Sequence, residues 1–211
     1  ERLFFVKISS LMDRLLKVKK AAALLQQGEV LIFPTETVYG LGGSIFCETA
    51  LKKMYKLKNR PLQKPFIVHI AHLDQVALVA KDIPAAFYKL AAAFFPGPLT
   101  IVLPKKAGLS PYLSSFETVA LRMPDHSLTC EIIKEFGLPI AGTSANPAAL
   151  PPPVTCAAAM QFFPQLYAVD GGECRLKQPS TVVAFAGDRL QILRPGSIDI
   201  HQLAKISGFS I

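Results

Sequence analysis

Phe33-Pro34-Thr35-Glu36-Thr37-Val38-Tyr39-Gly40-Leu41-Gly42-Gly43 is the stretch on which the reading of this sequence turns. It closes Val30-Leu31-Ile32-Phe33, an apolar run that reads as a short buried strand stopped by Pro34. Polar side chains, a tyrosine and glycines follow, and a helical pattern begins only beyond them. In an open α/β sheet the loop leaving a strand's carboxyl end is where ligands bind, and glycines there let the backbone bend tightly and approach a ligand closely. The spacing is neither G-x-G-x-x-G nor a Walker A loop. An ordinary strand-to-helix turn has the same composition.

Working outward, Ser10 to Gln27 has helical periodicity, with Leu11, Leu15, Val18, Ala22 and Leu25 on or near one face and Gly28 as a stop. Cys47 to Lys58 reads as a helix that buries Leu51, Met54 and Tyr55, leaves Lys52, Lys53 and Lys56 in water, and ends at Asn59-Arg60-Pro61. Strands are expected at Phe66 to Ile70, Leu99 to Leu103, Thr118 to Leu121, Pro139 to Ala141 and Leu166 to Val169. A pair at Thr181–Phe185 and Leu190–Leu193 flanks Gly187-Asp188. Helices are expected at Leu73 to Ala80, Pro84 to Phe94, Leu128 to Phe136, Val154 to Phe163 and Ile198 to Ile206. Lys105 to Phe116 reads as loop and Leu150 to Pro153 as a stiff connector. Strands and helices intermingle, so the fold class is α/β or α+β with a mixed sheet.

The 211 residues suit a single domain spanning residues 1–211. Hydrophobic residues make up 51%, enough for a sizeable core, and the formal charge of +8 favours an anionic partner such as nucleotide, phosphate or RNA. Ile83 to Leu103 approaches a membrane span in length, but Lys89 and Pro96-Gly97-Pro98 interrupt it, which favours a buried helix followed by a strand. Cys47, Cys130, Cys156 and Cys174 lie far apart without a C-x-x-C pair, and a reducing cytoplasm is the simplest setting. Glu1 to Ser10 lacks the pattern of a signal peptide.

Lys58 and Arg60 stand at a helix end, where basic residues complement the helix dipole; together they also make a two-pronged phosphate site. Arg122 and Arg194 each follow an apolar strand and precede a proline. That position suits bidentate recognition of carboxylate or phosphate, and equally a structural salt bridge. Ser144 and Asn146 lie on a small-residue loop whose hydroxyl, amide and N–H groups can receive phosphate oxygens or close a turn. Ser180 has the same two readings, and His69 alternates away from Phe66 and Val68. No second histidine or carboxylate stands at metal-ligand spacing, and G-x-S-x-G is absent. The inventory is rich in anion and hydroxyl receivers and poor in nucleophiles, which favours a site that positions substrates.

Taken together, these segments resemble one family, the YrdC-like threonylcarbamoyl-AMP synthases, in a short, single-domain form. The matching pieces run in the family's order: Pro34–Gly42, Lys58-Asn59-Arg60-Pro61, Lys64–His69, Phe95–Thr100, Val119–Pro124, Thr143-Ser144-Ala145-Asn146, Pro179–Val183 and Leu193-Arg194-Pro195-Gly196. The resemblance implies a twisted, largely open α/β sheet with a deep basic cavity. It implies a cytoplasmic nucleotidyltransferase that turns L-threonine, bicarbonate and ATP, with Mg²⁺ carried by the nucleotide, into threonylcarbamoyl-adenylate and pyrophosphate. A partner transferase would then modify tRNA; direct RNA contact stays open.

By the same resemblance the family's K-x-R and S-x-N signatures fall on Lys58/Arg60 and Ser144/Asn146 as the catalytic set. Lys58, Arg60 and Arg194 would hold ATP phosphates, and Thr118, Ser144 and Asn146 would add polar contacts. Arg122 would clamp the threonine carboxylate, with Thr35, His69 and Ser180 lining the amino-acid pocket. Ala148-Ala149-Leu150 departs from the Ser-Gly the family often carries there. A non-catalytic RNA-binding module, and a carbamoyl-adenylate-forming domain with another acceptor, are the alternatives.

Overall fold

The computed structural model describes residues 2–211, with side chains from residue 11 onward; Glu1, and the side chains up to Ser10, lie outside the described residues. Nine strands among them form one sheet: β1 (Leu31–Phe33), β2 (Gly40–Ser44), β3 (Ile67–His69), β4 (Leu99–Pro104), β5 (Thr118–Arg122), β6 (Ile140–Ser144), β7 (Tyr167–Ala168), β8 (Thr181–Ala186) and β9 (Arg189–Arg194). Their order is β7-β1-β2-β6-β3-β5-β4-β8-β9. β1/β7, β3/β5 and β4/β8 run parallel and the other neighbours antiparallel, so the sheet is mixed as the intermingled pattern implied.

Alternation along β1 divides the core. Leu31 and Phe33 join the apolar cluster that contains α1 (Arg2–Gln26) and α4 (Ser127–Phe136), whereas Ile32 joins the opposite cluster. That second cluster takes in α2 (Glu48–Lys58), α3 (Ala85–Phe94), α5 (Cys156–Phe162) and α6 (Ile200–Ser207). Helices therefore cover both faces of the sheet. α4 stops at Gly137, whose φ of 81° is the left-handed cap that glycine allows. The uncharged Ile83–Leu103 stretch is a helix and a strand, α3 and β4, and no helix among the described residues is long and apolar enough to cross a membrane.

The structure departs from the sequence reading in several places. The glycine stretch after Phe33 is not a loop: Gly40–Ser44 is β2, antiparallel to β1 with Leu31 opposite Gly42. Its glycines make room rather than flexibility. A Cβ on Gly42 would stand 2.6 Å from the Phe33 ring and 2.6 Å from the Ala141 carbonyl, and one on Gly142 would stand 2.6 Å from the His69 ring. β6 likewise runs on to Ser144, because Gly142, Thr143 and Ser144 pair with β2. The first helix begins well before Ser10, and among its described side chains Leu11 and Leu15 are exposed while Val18, Ala22 and Leu25 are buried. Leu73–Leu78 is a 3-10 turn rather than a longer α-helix.

Candidate active site

The turn after β1, β3 and the carboxyl ends of β5 and β6 meet the Pro179-Ser180 segment and Arg194 around a cleft of about 620 Å³, its open mouth included. Its floor follows from the glycines. Gly40, Gly42 and Gly142 lie side by side across β2 and β6, and the Phe33 and His69 rings lie against them, edge to face at 5.3 Å. The His69 imidazole is buried and pushed down to about 3, by burial first and then by Arg122, so it is neutral at ordinary pH. Its Nδ1 lies 3.2 Å from the Ile67 carbonyl, an acceptor, which assigns the proton to Nδ1 and leaves Nε2 as an acceptor.

Arg122 ends β5 beside His69, its register partner on β3. The side chain is buried; Nε donates to the Gly97 carbonyl at 3.2 Å and Nη1 to Thr37 Oγ1 at 2.9 Å. Nη2 lies 2.7 Å from Glu36 Oε2. That contact is an ion pair off the hydrogen-bond direction, because Glu36 Oε1, Oε2 and Arg122 Nη2 make no hydrogen bond among the described residues. Thr35 Oγ1 fixes the turn: it accepts from the Thr37 and Val38 N–H groups at 3.1 and 3.2 Å and donates to the Val38 carbonyl at 2.7 Å. Tyr39, wholly buried, donates to the Gly172 carbonyl at 2.7 Å and so ties the turn to the segment after β7.

At the other end of the cleft, α2 stops at Asn59, whose left-handed φ of 49° is one that asparagine tolerates. The reversal sends Lys58 and Arg60 different ways. Arg60 lines the cleft, donating from Nε to the Lys64 carbonyl at 2.7 Å and from Nη2 to the Pro65 carbonyl at 3.0 Å, over the Phe66 ring. Lys58, only 2% exposed, turns inward and donates to the carbonyls of Ser144 and Asn146, outside the cleft lining. Burial, then Arg60, push its ammonium down to about 7. The K-x-R and S-x-N signatures, far apart in sequence, thus meet through one ammonium. Asn146 spends its amide N–H groups on the Pro147 and Leu150 carbonyls, so the Ala148–Leu150 segment is held by backbone acceptors.

Arg194 completes the ring. Nε and Nη2 donate to the Ser180 carbonyl at 3.0 and 2.9 Å, and Nη2 also to Ser180 Oγ at 2.9 Å. Ser180 Oγ is 2.8 Å from Thr100 Oγ1. Burial of its guanidinium, then Arg122 and Arg60, lower Arg194 below its usual range, and burial does the same to Arg60. Arginine does not deprotonate in proteins, so mutually repelling guanidinium groups around one cleft constitute an anion site. Thr35, Arg60, His69, Arg122, Ser144, Ser180 and Arg194 all line it. Thr118 does not: it is exposed at the start of β5, opposite Pro104, at the far end of the strand from Arg122.

The Sua5/YciO/YrdC family model, described as "Telomere recombination", matches residues 23–196. The chain belongs to this family. Threonylcarbamoyl-AMP synthase of Bacillus subtilis is 42% identical over 196 residues, covering 91% of this chain and 57% of that protein. The same enzyme from Pyrococcus abyssi is 38% identical over 195 residues, with 91% and 57% covered. The crystal structure of P. abyssi Sua5 complexed with L-threonine superposes with a TM-score of 0.88 at 37% identity, covering 92% of this chain and 58% of that one. This chain therefore spans a little over half the length of these relatives.

Some residues in or beside the cleft carry little signal in the sequence. Glu36 and Thr37, which touch Arg122, sat unread within the opening stretch, although a carboxylate beside an apolar strand and a buried arginine downstream is a pairing signal. Thr100 looks like any strand residue until Ser180 is brought beside it. Gly142 carried no signal, because what it admits, the His69 ring, comes from a strand far away in sequence.

Proposed function

We propose that this chain forms L-threonylcarbamoyl-adenylate and pyrophosphate from L-threonine, bicarbonate and ATP. The observation that carries this reading is the cleft itself: one buried arginine paired with an acid, two arginines without acids, and hydroxyls with a neutral imidazole among them. Family membership and the activity given to the B. subtilis and P. abyssi relatives support it.

In this reading Arg122 holds the threonine carboxylate, and Thr35, His69 and Ser180 surround the rest of the amino acid. His69 Nε2, an acceptor, can receive the threonine hydroxyl, a contact that valine cannot make. Arg60 and Arg194 take the ATP phosphates, with Lys58 fixing the Ser144–Asn146 turn against them. The nucleotide extends past Pro65 and Ile67 along β5 towards Thr118. Mg²⁺ arrives with ATP as part of the substrate.

The threonine ammonium gives up a proton, and its amine bonds to the bicarbonate carbon as water leaves, which gives a carbamate. One carbamate oxygen forms a bond to the α-phosphorus as the bond to pyrophosphate breaks. Positioning and neutralisation of phosphate charge supply the catalysis, and no side chain forms a covalent intermediate. The adenylate then passes in the cytoplasm to a partner transferase that modifies tRNA.

The test is pyrophosphate release from MgATP with threonine and bicarbonate each present or withheld, with the product identified by mass. Release that needs both, with a threonylcarbamoyl-AMP mass, is expected. Release that needs bicarbonate but ignores threonine would move the assignment to another carbamoyl acceptor, and absence of ATP binding would overturn it.

A further inference from the structure

Among the cations gathered here, Arg122 alone is paired with an acid. Arg60 rests on the Lys64 and Pro65 carbonyls, Arg194 on Ser180, and Lys58 on the carbonyls of Ser144 and Asn146. The Arg122 and Glu36 side chains are 5% and 2% exposed. Glu36 does not line the cleft. It stands behind Arg122, beneath the segment whose Leu176 N–H donates to the Glu36 carbonyl at 2.8 Å. Among the described residues Arg122 is its one ion-pair partner, and neither carboxylate oxygen accepts a hydrogen bond. An acid placed against an arginine that is itself to bind an acid needs a reason.

We propose, resting on the function proposed above, that Glu36 is a specificity-determining residue: it cancels the Arg122 charge, so that the inner end of the cleft accepts zwitterionic α-amino acids and refuses acids that lack the amino group. A guanidinium has five N–H donors. Nε is taken by Gly97 and one Nη1 hydrogen by Thr37, while Nη2 is buried against Glu36 in an ion pair without a hydrogen bond. The second Nη1 hydrogen remains for a ligand carboxylate. Were Arg122 unpaired, any carboxylate would complete it. With Glu36 in place the pair is already neutral, and a lone carboxylate adds an uncompensated negative charge in a buried, weakly screened position. An α-amino acid carries its own ammonium on the adjoining carbon and arrives neutral. Arg60 is half-buried and Arg194 exposed, so solvent screens their charge more than that of the buried pair, and both are assigned to phosphate.

The experiment is calorimetric binding of L-threonine and of 3-hydroxybutyrate, which is threonine with hydrogen in place of the amino group, to the wild-type chain, Glu36→Gln and Thr37→Val. Wild type is expected to prefer threonine by at least tenfold, about 1.4 kcal/mol. Glu36→Gln should shrink that preference to within about threefold, chiefly by tightening 3-hydroxybutyrate. Thr37→Val removes an Arg122 contact without changing charge, so both ligands should weaken together and the ratio should hold. A ratio in Glu36→Gln equal to wild type would overturn the proposal. Wild type binding both ligands equally would overturn it too, which keeps the test decisive even if Glu36→Gln does not fold. Failure of threonine to bind wild type at all would instead overturn the functional reading, and this inference with it.

Discussion

At the inner end of the cleft Arg122 is buried, held at Nε and Nη1 by Gly97 and Thr37, and paired at Nη2 with Glu36. At the outer end Arg60 and Arg194 are more exposed and anchored by carbonyls and a hydroxyl, with no acid in ion-pair contact. Both arrangements fix a guanidinium, but they do opposite things with its charge. A carbonyl anchor orients the group and leaves its positive charge for a ligand. An acid anchor orients it and spends the charge. The first suits a polyanion such as a triphosphate, and the second suits a ligand that is neutral overall and needs geometry more than attraction. Lys58 shows a third use, a buried amine turned away from the cleft to tie the end of α2 to the turn after β6.

The largest effect should come from breaking the inner pair. Arg122→Ala leaves Glu36 buried without a partner and should lower unfolding free energy by about 3–5 kcal/mol in urea. Arg60→Ala should leave the same measurement within about 1 kcal/mol of wild type, since it strips no acid of its partner. Equal losses for the two would erase the distinction between the ends. Lys58→Met keeps the apolar stem but deletes two charged hydrogen bonds, so a loss of about 1.5–3 kcal/mol is expected, with turnover falling more steeply than ATP affinity. An affinity loss alone would make Lys58 a phosphate ligand like Arg60.

His69 sharpens the picture by pH. Folded, its imidazole stays neutral down to about 3; unfolded, it takes a proton near 6.5. The unfolded state therefore binds more protons below 6.5, and stability is lost as pH falls from there towards 3, by up to about 1.4 kcal/mol per unit. His69→Gln should flatten that difference between pH 6.5 and 4, and parallel curves would show that the ring is not buried neutral. The smallest effect belongs to the surface. Lys53 pairs with Glu29 at 2.6 Å with both side chains largely in water, and Lys53→Ala should shift stability by less than about 1 kcal/mol.

Most of the architecture was readable because it rests on local signals. Periodicity and stop residues located α2, α3 and α4, and the apolar runs located β1, β4, β5 and the β8–β9 pair. What could not be read depends on partners distant in sequence. Gly40–Gly43 looks like a loop until Phe33 and Ala141 are brought against it, when the missing side chains become the condition for a strand. The site was legible as a set of residue types, for Arg60, His69, Arg122, Ser144, Ser180 and Arg194 do converge on one cleft. Their division of labour was not. The acid beside Arg122, the inward turn of Lys58 and the position of Thr118 at the far end of β5 are products of topology. Leu11 and Leu15 show the complementary error, since they continue a regular apolar stripe and are nevertheless exposed.

The division between the ends is tested most directly by steady-state kinetics of Arg60→Ala and Arg122→Lys, with ATP and threonine varied in turn. Arg122→Lys keeps the charge opposite Glu36 while losing the planar guanidinium and its contacts to Gly97 and Thr37. The account predicts that Arg60→Ala raises KM for ATP by about tenfold and leaves that for threonine within about twofold, and that Arg122→Lys does the reverse. Both substrates weakening together in each variant, or the pattern inverted, would contradict it.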